Sequence, residues 1–207
     1  MNRALIQSYS KCIHTYLGTM VLFPEEMEKG KQYPLLVLLH DHGHGRSQWL
    51  DNILLAEIVE KNQIIVALPQ GNQSCFVDYQ NGQTWGAYLN QELLTNLEEW
   101  FPVQKGKQHK GVLGIGTGGY GALLAAEGFS CRGAVDPVED LADLYHTDFV
   151  PLPEMAFGLV ESLGQNGYIL PTDGVKIYKS MGRLQECLQK AVNDIIGEVV
   201  ENDSDAV

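Results

Sequence analysis

Five consecutive branched aliphatics, Leu35-Leu36-Val37-Leu38-Leu39, give a strand at this place no polar face to turn toward water. Such a strand is buried on both sides, as happens in sheets covered by helices above and below. Ile64 to Leu68, closed by Pro69-Gln70-Gly71, reads the same way, and Gly111 to Ile115 is a short strand. Segments of helical period stand between these runs. Leu50 to Lys61 is one, and 88–101 is another, with Leu89, Leu93, Leu97, Trp100 and Phe101 on one face. Alternating strands and helices predict an α/β protein with a mainly parallel sheet.

Leu5 to Tyr9 and Thr15 to Phe23 read as paired opening strands, the second ended by Pro24-Glu25-Glu26. A glycine-dense turn after Ile115 leads to a helix from Gly118 to Glu127, and Cys131 to Val135 is a further strand. Leu184, Cys187, Leu188, Ala191, Val192, Ile195, Ile196 and Val199 place a last helix within 181–200. The prolines of 141–180 leave that stretch without an assignment. The length of 207 residues suits a single domain, with a core over 1–136, a divergent segment 137–180, the terminal helix and a tail at 201–207.

A net charge of -12, from 26 acidic and 14 basic side chains, excludes nucleic acid and anionic membrane as general partners. Residues 136–207 carry 14 of the acidic and 4 of the basic side chains. That shift near Asp136 reads either as a domain boundary or partner-facing surface, or as a solvated face with a frayed tail. No apolar run is long enough to span a bilayer, and the first twenty residues lack a secretory h-region. Cys12, Cys75, Cys131 and Cys187 form no CxxC pair, so the expectation is a reduced, cytoplasmic protein.

Ligands of parallel sheets gather at the carboxyl ends of the strands, where two loops carry chemistry-bearing residues. One is His40-Asp41-His42-Gly43-His44-Gly45; the other is Gly114-Ile115-Gly116-Thr117-Gly118-Gly119. As Gly-x-Gly-x-x-Gly the second matches a dinucleotide fingerprint, with Asp136 placed as a ribose acid. As Gly-x-Xaa-x-Gly it has the frame of a nucleophile elbow, with Gly116 where serine stands. A tight turn needing small residues is the plain structural reading. The alternating His40, His42 and His44 beside Asp41 have the chemistry of a zinc site, although the later ligands would have to be His109 and His146. Trp49, Trp85 and Tyr120 fit a pocket wall or ordinary core, and Cys131 fits a buried small hydrophobe.

From Tyr33 to Ala126 the chain resembles the esterase D-like branch of the α/β-hydrolases, which holds S-formylglutathione hydrolases and tributyrin-type esterases. The resemblance runs through Tyr33-Pro34, Leu38-Leu39-His40, Trp49, Ile65 to Pro69, Asp78-Tyr79-x-Asn81-Gly82, Tyr88, Glu92-Leu93 and Phe101-Pro102. It ends in Gly114-Ile115-Gly116-Thr117-Gly118-Gly119-Tyr120-Gly121-Ala122, where the family has serine in place of Gly116. It implies a shortened α/β-hydrolase fold. The family's oxyanion hole maps onto the backbone N–H groups of Thr117 and His42, with Asp41 in place of a family glycine. The resemblance therefore makes His40, Asp41, His42, Gly116, Thr117 and Tyr120 the candidate substrate-binding residues.

The departures imply a lost triad. Gly116 has no side chain, and the last histidine is His146, whereas the resemblance implies one late in the chain after the acid, and none leads into the final helix here. Asp136 and Asp173 are the nameable acids, and the residues beyond 137 look too few for the family's later strand, acid loop and histidine loop. The resulting expectation is a non-catalytic esterase relative that binds an ester-like or acyl small molecule, or a protein partner. No cofactor is expected, and a homo-oligomer is left open. The alternatives are a hydrolase using metal at the histidine loop or another nucleophile such as Thr117, and dinucleotide binding at Gly114–Gly119.

Overall fold

The computed structural model describes residues 1–79, 82–138 and 175–204. The chain opens with β1 (Asn2–Ser10) and β2 (Thr15–Phe23), an antiparallel hairpin in register from Asn2↔Phe23 to Ser10↔Thr15. Next come β3 (Leu35–Leu39), the short helices α1 (Ser47–Asn52) and α2 (Leu55–Asn62), and β4 (Ile65–Pro69). Helix α3 (Trp85–Ala87) passes through a π-helical turn, Tyr88–Glu92, into α4 (Leu93–Trp100). Then β5 (Lys110–Ile115), α5 (Gly116–Leu124), β6 (Cys131–Val135), β7 (Val175–Tyr178) and α6 (Leu184–Ser204) complete the described elements.

The strands form one sheet in the order β1-β2-β4-β3-β5-β6-β7. Strand β2 meets β4 antiparallel, and every pair from β4 onward is parallel, as the unbroken apolar runs predict. All five residues of β3 are buried, and their alternation divides the core into two layers. Leu35, Val37 and Leu39 pack with Trp85, Leu93, Leu97 and Ala122 on one face. Leu36 and Leu38 pack with Trp49, Val59, Leu188 and Ile195 on the other, beneath α2 and α6.

The expected helix over residues 50–61 is two helices. Ile53 is extended (φ -139°, ψ 155°), and the Asn52 side-chain amide donates to the Gln48 carbonyl at 2.6 Å, closing α1 locally. A bonding side chain of this kind leaves hydrophobic periodicity unchanged, so the break is silent in the apolar pattern. Helix α5 begins at Gly116 rather than Gly118 and ends at Leu124, because no linker separates it from β5. The stretch left unassigned contains β7, which pairs parallel with β6 from Arg132↔Val175 to Val135↔Tyr178. A strand beyond β6 therefore exists within the residues for which a later strand, acid loop and histidine loop together looked too long. The charge shift near Asp136 does not separate two sheets, since β7 extends the same sheet and α6 packs in the same apolar layer as Leu36. Among the described residues, no helix is long and apolar enough to cross a membrane.

One carboxylate fastens the opening hairpin to the helical layer. Glu92 accepts from Ser10 Oγ at 2.6 Å and from the backbone N–H groups of Lys11 and Cys12 at 2.7 and 3.2 Å. Burial alone would raise its pKa, but these donors outweigh burial and hold it below its ordinary value. A carboxyl lowered on folding adds stability above its unfolded pKa, and that stability is lost as pH falls through the folded value. Glu92→Gln is expected to cost about 1–3 kcal/mol at neutral pH. Denaturant unfolding of both proteins between neutral and acid pH checks this, the wild type losing stability more steeply toward acid than the variant.

Candidate functional site

The parallel strands deliver their carboxyl ends to one edge, where the loop after β3 meets the turn after β5. Trp49, fully buried, donates its indole N–H to the Leu39 carbonyl at 3.0 Å and pins α1 over the end of β3. The loop from His40 is thereby held beside the start of α5. Glycines make the approach close: a Cβ at Gly118 would lie 2.4 Å from the His40 carbonyl oxygen, and one at Gly114 would lie 2.1 Å from that of Gly118.

His40 is 2% exposed and bonded to backbone at both ring nitrogens. Its Nε2 accepts the Gly71 N–H at 2.9 Å, and its Nδ1 lies 2.9 Å from the Asp41 carbonyl oxygen. An N–H only donates, so Nε2 is bare and the proton sits on Nδ1. Burial, partly opposed by the Asp41 carbonyl, lowers its pKa from 6.5. This histidine ties the loop after β3 to the loop after β4. Its two nitrogens are not offered to a metal, and the structure does not gather His40, His42 and His44 into a ligand set. Among the described residues, no group of three or more His, Cys, Asp or Glu is placed to hold one.

Asp41 turns its carboxylate inward. Its Oδ1 accepts from the backbone N–H of Thr117 at 2.8 Å, the backbone N–H of His42 at 2.8 Å and the Thr117 hydroxyl at 3.1 Å. The two N–H groups are the pair that the resemblance assigns to an oxyanion hole, and here they converge on a single oxygen of the chain itself. The N-terminus of α5 favours negative charge at this point. Gln48 steadies the aspartate from behind, its Oε1 accepting the Asp41 N–H at 2.8 Å.

Gly116 forms the apex of the strand-to-helix turn with φ +54°, a left-handed backbone that suits glycine. A Cβ built there would lie 2.2 Å from Asp41 Oδ1. The carboxylate therefore fills the space into which a side chain at position 116 would project. With β5 running directly into α5 through this backbone, the turn has the geometry of a nucleophile elbow.

Thr117 is 2% exposed, and its hydroxyl is engaged with Asp41. Tyr120 packs with Cys75 and Val77 in a small apolar cluster, so it stands behind the turn rather than on an open wall. Burial pushes the Cys75 thiol up to about 12 and the Cys131 thiol up to about 11, away from thiolate chemistry. Trp49 and Trp85 are core residues. Asp136, the residue offered as ribose acid or triad acid, accepts the Ser180 N–H at 2.9 Å and ties the end of β6 to the segment after β7. Asn81, His146 and Asp173 lie outside the described residues.

Residues 10–129, more than half of the chain, match a family model described as "Putative esterase". The chain belongs to this esterase family. An acetyl esterase of Caldicellulosiruptor saccharolyticus is 27% identical over 127 residues, which are 57% of this chain and 48% of that protein. The esterase-family chain thus spans about half the length of this curated relative. Two solved structures from Staphylococcus aureus superpose on it. Fluorophosphonate-binding serine hydrolase F, substrate-bound, gives a TM-score of 0.71 at 13% identity over 94% of this chain and 98% of its own. An S-formylglutathione hydrolase gives 0.64 at 15% identity over 95% and 89%. A ferulic acid esterase of Anaeromyces mucronatus, in complex with ferulic acid, gives 0.62 at 15% identity over 96% and 92%. At these identities the likeness carries the fold, which is that of the α/β-hydrolases.

Sequence reasoning missed three supports of the site. Gln48 and Gly71 hold the loop after β3 through single bonds that no motif announces. The loop after β4 carries Cys75 and Phe76 in consecutive left-handed conformations (φ +54° and +56°), with the Phe76 ring against Gly71 and 5.8 Å from that of His40. Nothing in those residue types signals such a backbone.

Two outcomes are expected. By nitrogen-resolved NMR, the His40 imidazole keeps its proton on Nδ1 and titrates below 6.5. The stability tied to this neutral form is present above that value and is lost as pH falls through the lowered folded pKa. Second, Gly116→Ala is expected to cost about 2–4 kcal/mol through backbone strain and overlap with Asp41. In a denaturation double-mutant cycle with Asp41→Gly, about 1–3 kcal/mol of that loss is recovered as coupling.

Proposed function

We propose that this esterase-family protein has given up ester hydrolysis and uses the scaffold for binding. The observation that carries the reading is the Asp41 carboxylate bonded to the Thr117 and His42 N–H groups beside a residue without a side chain, Gly116. Acyl transfer by a serine hydrolase needs a nucleophile on the elbow, a histidine to take its proton and an open hole for the developing oxyanion. Position 116 offers no nucleophile. His40, two residues before the donor His42, has both ring nitrogens bonded to backbone. The segment after β7, Lys179-Ser180-Met181-Gly182-Arg183, contains neither an acid nor a histidine.

The binding candidates are His40, Asp41, His42, Gly116, Thr117 and Tyr120. Their roles divide: His40 and Tyr120 support the turn from behind, whereas Asp41, His42 and Thr117 form the polar contact point. The acetyl esterase relative and the folds of the ester-cleaving neighbours favour an acyl or ester-like small molecule as ligand.

The test is hydrolysis of p-nitrophenyl acetate by the purified full chain, together with labelling by a fluorophosphonate probe. Neither is expected to exceed a buffer blank. Turnover abolished by the probe would overturn the reading and place a nucleophile outside position 116. Gly116→Ser alone is expected to remain inactive, because Asp41 fills both the hole and the space of the new side chain, and His40 has no free ring nitrogen to take its proton.

A further inference from the structure

We propose that the free edge of β1 pairs with the same edge of a second copy of this chain, antiparallel about a two-fold axis at Ile6, so that two sheets join into one.

Strand β1 ends the sheet, with β2 on one side and, among the described residues, no strand on the other. Every second residue of an edge strand turns its N–H and C=O outward, an open template for another strand. Proline, a bulge or a charge turned inward normally blunts such an edge. This one has none of them. Its nine residues, Asn2–Ser10, include no proline and run opposite β2 one for one without a bulge. Arg3 is its only charged side chain, and it is exposed. The face that carries Arg3 also leaves Leu5 54%, Tyr9 50% and, on β2, Tyr16 72% exposed.

A second copy is the occupant that charge and symmetry fit. The chain carries a net charge of -12, yet no Asp or Glu precedes Glu25. Copies that repel one another elsewhere can therefore meet here. A two-fold axis normal to the sheet keeps each side chain on its own face in both copies. Facing residues must then share a face, and the axis must pass at a residue. Placed at Ile6, the axis pairs all of Asn2–Ser10; placed at any other residue, it leaves part of the strand overhanging.

At that register Ile6 faces the partner's Ile6, and Ala4 faces the partner's Ser8. On the other face Leu5 is opposite the partner's Gln7 and diagonal to the partner's Leu5 and the partner's Tyr9, which gathers exposed apolar groups about the axis. Arg3 is opposite the partner's Tyr9, a cation beside a ring. Exposed Lys11, just past the paired strand, reaches the end where the partner's Glu25 lies exposed. Within each chain the Asn2 amide, opposite the partner's Ser10 at this register, fixes that end by donating to the Glu25 carbonyl at 3.2 Å. Closed symmetry makes each of these contacts twice.

Sedimentation of the full chain over a range of concentrations is expected to show a monomer–dimer equilibrium and nothing larger, since one pairing occupies both β1 edges. Leu5→Lys/Gln7→Lys sets lysine against lysine twice across the axis and is expected to weaken the dimer about tenfold or more. Both positions are exposed, so the fold is kept. Added lysines also lower the net negative charge, which by itself favours association, so weakening is specific to the edge. Disulfide capture reads the register. In Ile6→Cys the facing Cα atoms stand about 4.5–5.5 Å apart, within reach of a disulfide. In Ala4→Cys the two cysteines stand about 13 Å apart, because Ala4 faces the partner's Ser8. Mild oxidation is expected to link the first through residue 6, mapped by mass spectrometry against native Cys12 and Cys187, and to leave the second unlinked at residue 4.

A dimer weakened by the lysines and linked at residue 6 supports the proposal. A chain that stays monomeric at every concentration overturns it and leaves the edge to an extended segment of another protein. A dimer indifferent to the lysines, a dimer that links at residue 6 no better than at residue 4, or assembly beyond the dimer overturns it in favour of another surface.

Discussion

Burial of β3 on both faces is the constraint from which the rest of the molecule follows. Five aliphatic side chains that alternate between two apolar layers require cover above and below, so helices must lie on each side. Parallel neighbours β4 and β5 then bring their carboxyl ends to the same edge as that of β3. The loop from His40 and the turn at Gly116 meet because the strands feeding them are register neighbours, Leu39 standing opposite Gly114. Chemistry in this fold is a matter of what those two segments place in the gap between them.

In this chain the gap holds one of its own carboxylates. That single placement connects features that otherwise look unrelated: a glycine at the elbow apex, an aspartate in the preceding loop, and a histidine whose nitrogens serve the backbone. The oxyanion geometry is kept in its donors and is satisfied internally. Buried donors are costly when left unpaired, so a hole with no reacting partner is more stable filled than empty.

The fold was largely legible because its determinants are local. Residues 35–39 and 65–68 are unbroken aliphatic runs that suit doubly buried strands, and the helical spacing from Leu184 to Val199 left one reading for α6. The break at Ile53 was not legible, since an asparagine side chain bonding a helical carbonyl leaves no trace in apolar periodicity. Strand β7 escaped because it has four residues, none fully buried, and depends on pairing with a distant partner. At the site, the resemblance supplied the two N–H donors and a negative charge nearby. The rotamer that carries the Asp41 carboxylate into the hole is a tertiary fact. So are the Gln48 and Gly71 contacts that brace it.

The 2.2 Å between Asp41 Oδ1 and a Cβ at position 116 also has a consequence for history. A serine at the elbow and an inward aspartate in the loop before it exclude one another, so each residue is permissive only in the other's absence of bulk. With glycine at 116 the aspartate is accommodated freely, and with the aspartate in place a side chain at 116 meets its carboxylate. The pair works as a ratchet: position 116 can take a side chain without overlap only after the loop residue shrinks or turns its carboxylate away.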